Sequence, residues 1–162
     1  MAGLRTMKRR RRENRTDYKA RRILLESGIP RIVVRRTNKY YILQAVESNE
    51  AQDKVIATVT SKELLKNGWD AKMSGSLKSI SAGYLTGMLM AKKLKKGKYI
   101  VDLGMARTFT GSRVFAVVKG LVDGGLDVPA NEKVFPSEDR LNGEHLKPEV
   151  KAMVAKVKEA LK

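Results

Sequence analysis

Residues 31–47 read RIVVRRTNKYYILQAVE, and the order of residue types within them decides the fold class. Ile32, Val33 and Val34 are β-branched and suit a pleated, half-buried surface, Thr37-Asn38-Lys39 offers a turn, and an apolar run resumes from Tyr40 to Val46. The stretch predicts a hairpin. Adjacent strand residues face opposite ways, so one of Tyr40 and Tyr41 is expected in the core and the other outside it. Moving toward the C-terminus, KVIATVT (54–60) predicts a third strand. A short helix, SKELLKN, follows with Ser61 as its cap and Gly68 as its stop. Leu77, Ile80, Tyr84, Leu85, Met88, Ala91 and Leu94 then recur at spacings of three and four. That period predicts a helix starting at Ser76 or Ser79 with its apolar stripe inward, and Gly83 and Gly87 suit close packing against a sheet.

YIVDLG (99–104) is short and nearly all apolar, which predicts a strand buried on both faces near the sheet centre. SRVFAVVKGLVDGG favours a strand by propensity. The spacing of Val114, Val118, Leu121 and Val122, with Ser112 as cap and Gly124 as stop, favours a helix, which is the reading adopted. LDVP predicts a brief edge strand and NEKVFPSEDRLNGEHL an irregular segment. Pro148 then opens a terminal helix lined by Val150, Met153, Val154, Val157 and Leu161. Toward the N-terminus, DYKARRILLES predicts a helix capped by Asn14 or Thr16, with Asp17 and Arg21 paired at i,i+4 and Gly28-Ile29-Pro30 ending it. Residues 1–15 hold little apolar content beyond Leu4 and Met7 and are expected to stay extended until a partner orders them. The chain is therefore expected to be α/β. It divides into a basic arm and helix (1–28), an α/β core (29–128) and an irregular extension with a C-terminal helix (129–162).

Charge narrows the function. The 162 residues carry 34 Lys and Arg against 17 Asp and Glu, a net of +17, more than solubility requires and a sign of a polyanionic partner. Residues 1–22 alone hold ten bases and two acids, nearly half of that excess. No window approaches the roughly 18 apolar residues of a membrane span, and no apolar stretch follows the basic run, so neither insertion nor secretion is expected. Zero cysteines exclude disulfides and thiolate metal sites, and the single His145 makes a zinc site unexpected; a reducing cytoplasm fits. The only Gly-Lys pair, Gly97-Lys98, lacks the glycine five residues earlier and the following Ser or Thr of a phosphate-cradling loop, and no dinucleotide fingerprint occurs. Asp102, Asp123 and Asp127 are the carboxylates that would have to serve a metal or acid–base site, although such residues at strand and helix ends ordinarily cap or stay solvated. His145 has no accompanying nucleophile signature. No catalytic residue, metal or cofactor, and no small-molecule substrate, is expected.

The basic clusters fit RNA as a set. Arg5, Lys8, Arg9, Arg10, Arg11, Arg12 and Arg15 in the arm, with Tyr18, Lys19 and Arg22 beyond, supply phosphate contacts; alone, such a run is also what a solvated face or a localisation signal looks like. On the hairpin, Arg31, Arg35, Arg36, Asn38, Lys39 and Tyr40 combine guanidinium groups, an amide and an aromatic face, able to bond phosphates and stack on unpaired bases. Arg107, Thr108, Thr110, Ser112 and Arg113 follow a strand and open a helix, where free N–H groups and hydroxyls meet a phosphate or simply cap the helix. Ser74, Ser76 and Lys78 repeat that composition ahead of another helix.

Several of these segments, in this order, resemble the archaeal and eukaryotic branch of the ribosomal protein L-eighteen family. They are RRRRENRTDYKARR, PRIVVRRTNKYYILQ, AGYLTGMLMAKK, DLGMARTFTGSRVFAVVKGLVDGGLDVP and FPSEDRLNGEHL. The resemblance implies a three-layer α/β core of ribonuclease-H-like topology, a mixed sheet with helices on both faces, plus a basic N-terminal arm and a C-terminal helical extension. It also implies a structural constituent of the large ribosomal subunit, cytoplasmic and within the ribosome. Such a protein binds 5S rRNA and large-subunit rRNA in the central protuberance and touches neighbouring ribosomal proteins. Arg9 to Arg12, Arg15, Tyr18, Arg35, Arg36, Asn38 and Gln44 fall on the matching positions and are the residues the resemblance assigns to RNA. Two rivals stand beside it. Nucleases on a similar core hold divalent metal with carboxylates that include one on the first strand, where this chain has RIVVRR. A nonspecific basic protein that compacts DNA is the other.

Overall fold

The computed structural model describes residues 6–49 and 52–161. Its centre is a four-stranded mixed sheet of β1 (Arg31–Arg36), β2 (Tyr41–Asn49), β3 (Gln52–Thr60) and β4 (Ile100–Asp102), in the order β3-β2-β1-β4. The first three strands pair antiparallel, and β4 runs parallel to β1. The expected hairpin forms, with Arg36 opposite Tyr41 as its closing pair. Thr37 closes the turn: its N–H donates to Tyr40 O at 2.9 Å and its Oγ1 accepts from Tyr40 N–H at 3.0 Å. The register puts Val34 beside Leu43 and Ile32 beside Ala45, with Val59 next to Leu43, so one apolar face is built from all three strands. Tyr41 belongs to that core and is fully buried, while Tyr40 is only half-buried.

Helix α3 (Ile80–Lys93) and helix α4 (Arg113–Asp123) pack against each other behind this face, and two shorter helices precede them in the arm. Ser79, not Ser76, caps α3, its hydroxyl accepting from Ala82 N–H at 3.2 Å. Every residue from Ser81 to Ala91 is buried, so α3 runs through the interior and has no solvent stripe. Gly83 lies against the Tyr41 ring of the sheet, as expected. Gly87 does not: a Cβ there would run into Val117 O and Gly120 of α4, and a Cβ on Gly120 would run into Tyr84 O. The two glycines let the backbones of α3 and α4 touch, which explains a glycine-containing helix that packing must stabilise against its own propensity.

After β3, residues Ser61–Asn67 form a 3-10 helix ending at Gly68. Its cap is Thr60, with Thr60 N–H donating to Glu63 Oε1 at 2.9 Å. Ser61, expected as the cap, is fully buried instead: its hydroxyl donates to Leu77 O at 2.8 Å and accepts from Tyr41 N–H at 3.1 Å. The segment expected to be irregular contains a 3-10 turn (Glu132–Val134) and helix α5 (Glu138–Asn142). Helix α6 (Pro148–Leu161) buries Met153, Val154, Val157 and Leu161 against α3 and the 61–67 turn, as its period predicts.

Several expectations fail at the sheet edge and in the arm, among them that residues 1–15 stay extended. β4 is a three-residue, half-buried edge strand and not the sheet centre; its apolar composition reflects Val101 packing on the core while Ile100 lies toward the other face. The expected LDVP strand reduces to one parallel bridge, Lys98 with Asp127. In the arm, Arg9–Arg12 form a single turn, α1, and Tyr18–Glu26 form α2. Asp17 caps α2, accepting from Lys19 and Ala20 N–H at 2.9 and 3.1 Å, so it is neither flanked by an Asn14 or Thr16 cap nor paired with Arg21. Arg21 reaches Asp53 on β3 instead, at 2.8 Å, and ties α2 to the sheet. The sheet face opposite α3 and α4 stays partly open, with Val33, Ile42 and Gln44 half-buried and Thr58 exposed.

Candidate nucleic-acid interface

Strand direction gathers the basic and polar groups at one end of the sheet. β1, β3 and β4 all end there and β2 begins there. The start of α3 is fixed to the same end by Tyr41, whose phenol donates toward Lys78 O and Ser79 O at 3.1 Å each. The start of α4 is beside it, since a Cβ on Gly83 would meet both the Tyr41 ring and Arg113 O. Burial pushes the Tyr41 phenol up to about 12, against the opposing pull of Arg113 and Arg36. It stays neutral and serves as a hydrogen-bonded post on which the hairpin and two helix starts are aligned.

The sequence-predicted residues sort into four groups around this end. The arm is exposed from Lys8 to Arg15: Lys8 Nζ sits 4.6 Å from the centre of the Tyr18 ring, Arg10 Nε donates to Thr16 Oγ1 at 3.0 Å, and Arg15 pairs with Glu13 at 3.3 Å. Lys19 and Arg22 are exposed, the latter paired with Glu26 at 2.7 Å, and Tyr18 is half-buried. Arg5 lies outside the described residues.

The hairpin arginines separate sharply. Arg31 is 4% exposed and spends its guanidinium inside the protein, on Asp53 Oδ2 and Ser48 Oγ at 2.6 Å each. It is a structural cation, not a free RNA contact, and this corrects its place among the candidates. The Asp53 carboxyl is pushed up by burial, but hydrogen bonds from Ser48, Arg31 and Arg21 outweigh that and hold it down at about 2. Arg35 lies across Gly104 and clasps Asp102, with Nη2 3.1 Å from both carboxylate oxygens and Nη1 2.8 Å from its carbonyl. It splints β1 to β4 and still leaves its side chain 44% exposed. Arg36 is exposed and meets no carboxylate among the described residues.

Around the turn, Asn38 and Lys39 are exposed, and Tyr40 carries Lys62 Nζ over its ring at 4.5 Å. Together with Ser74 and Lys78 they line a depression of about 390 Å³, so the hairpin tip and the loop before α3 form one surface. Lys62 was not anticipated, because only the antiparallel pairing of β3 with β2 carries it there. Ser76 is half-buried and donates to Met73 O at 2.6 Å, and Gln44 is half-buried on the open sheet face, 3.5 Å from Thr58 Oγ1.

The fourth group lies between β1, β4 and α4. Arg107, Thr108, Thr110 and Arg113 are exposed, and Ser112 is buried at the start of α4. Arg36, Arg107, Ser112 and Arg113 share a cleft of about 700 Å³ with Asn14 and Arg15 of the arm. Arg36 and Arg107, 71 residues apart in sequence, thus meet at one site. Two of the three carboxylates that a nuclease would require are otherwise engaged, Asp102 by Arg35, and Asp123 by Lys119 at 2.9 Å and by the Tyr84 hydroxyl at 3.0 Å, while Asp127 is exposed. Among the described residues no three His, Cys, Asp or Glu side chains converge. His145 is exposed.

A mixed α/β domain that concentrates unpaired cations, amides and hydroxyls at one sheet end, with a basic arm folded beside them, has the makings of a polyanion-binding scaffold. The family model described as "Ribosomal large subunit proteins 60S L5, and 50S L18" matches residues 4–100 and 95–131. The chain is 48% identical over 141 residues to the large ribosomal subunit protein uL18 of Methanoregula boonei, covering 85% of this chain and 79% of that one. It is 48% identical to the uL18 of Caldivirga maquilingensis over 142 residues (85% and 67%) and 47% identical to that of Korarchaeum cryptofilum over 141 (85% and 70%). The chain belongs to this family. It is a structural protein of the large ribosomal subunit, located in the ribosome of the cytoplasm, and not an enzyme. The nuclease reading has no support. The family-model match ends before α5 and α6.

Proposed function

We propose that this protein binds 5S rRNA and helps attach it to large-subunit rRNA in the central protuberance, where it also contacts neighbouring ribosomal proteins. The observation that carries the reading is the cleft at the sheet end. Arg36, Arg107 and Arg113 converge there without carboxylate partners among the described residues, next to Asn14 and Arg15 of the arm. Excess cations facing a concave surface neutralise phosphates and release condensed counterions, and this supplies affinity. Selection of one RNA falls to shape and to splayed bases, for which Tyr40, Asn38 and Lys39 around the hairpin tip provide an aromatic face and polar edges.

The division of labour follows the chain: residues 1–28 as the RNA-binding arm, 29–128 as the positioning core, and 129–162 as an extension that braces α3 and offers a protein-facing surface. Lys8, Arg9 to Arg12, Arg15, Tyr18, Lys19 and Arg22 act from the arm. Arg35, Arg36, Gln44, Ser74, Ser76, Lys78, Arg107, Thr108, Thr110, Ser112 and Arg113 act from the core. A ribonuclease-H-like topology is part of the proposal and is supported by an interior β1 flanked by antiparallel β2 and parallel β4. Crosslinking of the protein to total cellular RNA, followed by sequencing of the attached fragments, tests the function. Enrichment of 5S rRNA and its large-subunit neighbours is expected; fragments spread in proportion to RNA abundance contradict it.

A further inference from the structure

The back wall of the cleft is the first turn of α4. Ser112 precedes that turn in an extended conformation, the position from which a serine hydroxyl ordinarily accepts a first-turn amide. Here it does not. Ser112 is 4% exposed, its Oγ is buried, and no hydrogen-bond partner among the described residues meets it. The first α4 amide with an acceptor is Ala116, which donates to Ser112 O at 3.2 Å, so the amides of Arg113, Val114 and Phe115 stand ahead of the intrahelical ladder. A buried hydroxyl without a partner and a helix start without a side-chain cap each cost free energy. Both belong to residues that line the same cleft, and one tetrahedral anion satisfies both once the hydroxyl turns from its buried position toward the opening.

The surrounding cations single out that anion. Arg36 comes from the end of β1 and Arg113 from the first turn of α4, both close to the Tyr41 phenol, and neither has a carboxylate partner among the described residues. The nearby Arg35 differs because Asp102 already neutralises it. The cleft is open at its mouth and continues to Asn14 and Arg15 of the arm. A chain of linked phosphates can therefore enter it and run on along the arm, which a single free anion cannot do.

We propose that this cleft seats one phosphate of an RNA backbone. Ser112 Oγ and the first-turn amides of α4 supply its hydrogen bonds, and Arg36 and Arg113 supply its charge. The seat rests on the RNA-binding reading and sharpens it: one phosphate held at a fixed place sets the register of the RNA on the core, whereas the arm supplies bulk affinity.

The test uses the whole chain in two arms. In the first, inorganic phosphate replaces chloride at constant ionic strength while amide resonances are followed. Saturable shifts confined to residues 112–115 are expected, with affinity about tenfold weaker in Ser112→Ala, the loss of one hydrogen bond to a charged group. Arg36→Gln and Arg113→Gln should weaken it too. The melting temperature of Ser112→Ala should hold or rise, since a partnerless hydroxyl is removed; a fall would mark Ser112 as an ordinary cap and overturn the proposal. Shifts spread over the arm without saturation would also overturn it. In the second arm, single methylphosphonate linkages are placed along a 5S rRNA transcript. One linkage should weaken binding to the unaltered protein and lose that effect in Ser112→Ala. Saturation in the first arm with no such linkage in the second means a site for free phosphate only and refutes the RNA assignment. If phosphate saturates the seat but no RNA binds, the proposed function fails and the anion site stands. RNA binding with residues 112–115 silent in both arms retires the seat alone.

Discussion

Replacing Asp53 by Asn keeps the side-chain shape and removes one charge from a cluster that docks the basic arm helix on the sheet. Asp53 Oδ2 accepts from Arg31 at 2.6 Å and from Arg21 at 2.8 Å, and Oδ1 accepts from Ser48 at 2.7 Å. Asparagine offers one acceptor oxygen, so either the arginines or Ser48 lose a partner, and the Arg31 charge remains at 4% exposure without compensation. Breaking a buried pair costs about 3 to 5 kcal/mol; because Asp53 is partly solvated and Ser48 still meets Arg31, about 2 to 3 kcal/mol is expected. For a chain of this length each kcal/mol moves the midpoint by about 2 to 4 °C, so Tm should drop by roughly 5 to 10 °C at neutral pH. The acid limb fixes the sign. Burial raises the Asp53 carboxyl, and the hydrogen bonds that outweigh it hold the folded-state pKa at about 2, below its value of 3.8 in the open chain. Its contribution is therefore complete above the open-chain value and disappears as pH falls through about 2. Urea unfolding of both proteins from neutral pH down to that limit should show a stability gap that narrows on the acid side. A neutral-pH difference within about 1 °C, or a gap that does not vary with pH, would refute the reasoning.

Further outcomes follow from the same geometry. Gly87→Ala drives a methyl group into the α4 backbone and should cost about 3 kcal/mol or more, measured as a lower urea midpoint, with Gly120→Ala behaving alike. Deleting residues 1–15 should weaken RNA binding severely while the core keeps its thermal transition; loss of that transition would contradict an arm that is independent of the core. Arg31→Gln should lower stability by a few kcal/mol, whereas Arg36→Gln should leave the unfolding midpoint in place and weaken RNA binding, which a paired melting and gel-shift series separates.

The parts of the fold that were legible in the sequence are those whose signals are local. β-branching and a threonine turn identify the β1–β2 hairpin, and the spacing of Val114, Val118, Leu121 and Val122 outweighs strand propensity in α4. What was not legible depends on pairings far apart in the chain. YIVDLG reads as a central strand by composition, but its neighbours are β1 on one side and a single bridge to Asp127 on the other. Arg31, Arg35 and Arg36 look interchangeable in sequence. Asp53, 22 residues later, buries the first, Asp102 clasps the second, and the third is left to face the cleft. Ser112 was recognised as a helix start, but the absence of its capping bond is a matter of local geometry that no residue pattern announces.

The most direct measurement is competition between a 5S rRNA transcript and tRNA for the purified protein at physiological ionic strength, repeated across a salt series. The account predicts clear preference for 5S rRNA and, with roughly eight phosphates neutralised by the arm, log K falling with log salt at a slope of about −6 to −7. Equal affinity for the two RNAs would reduce the protein to a generic counter-charge and contradict the account.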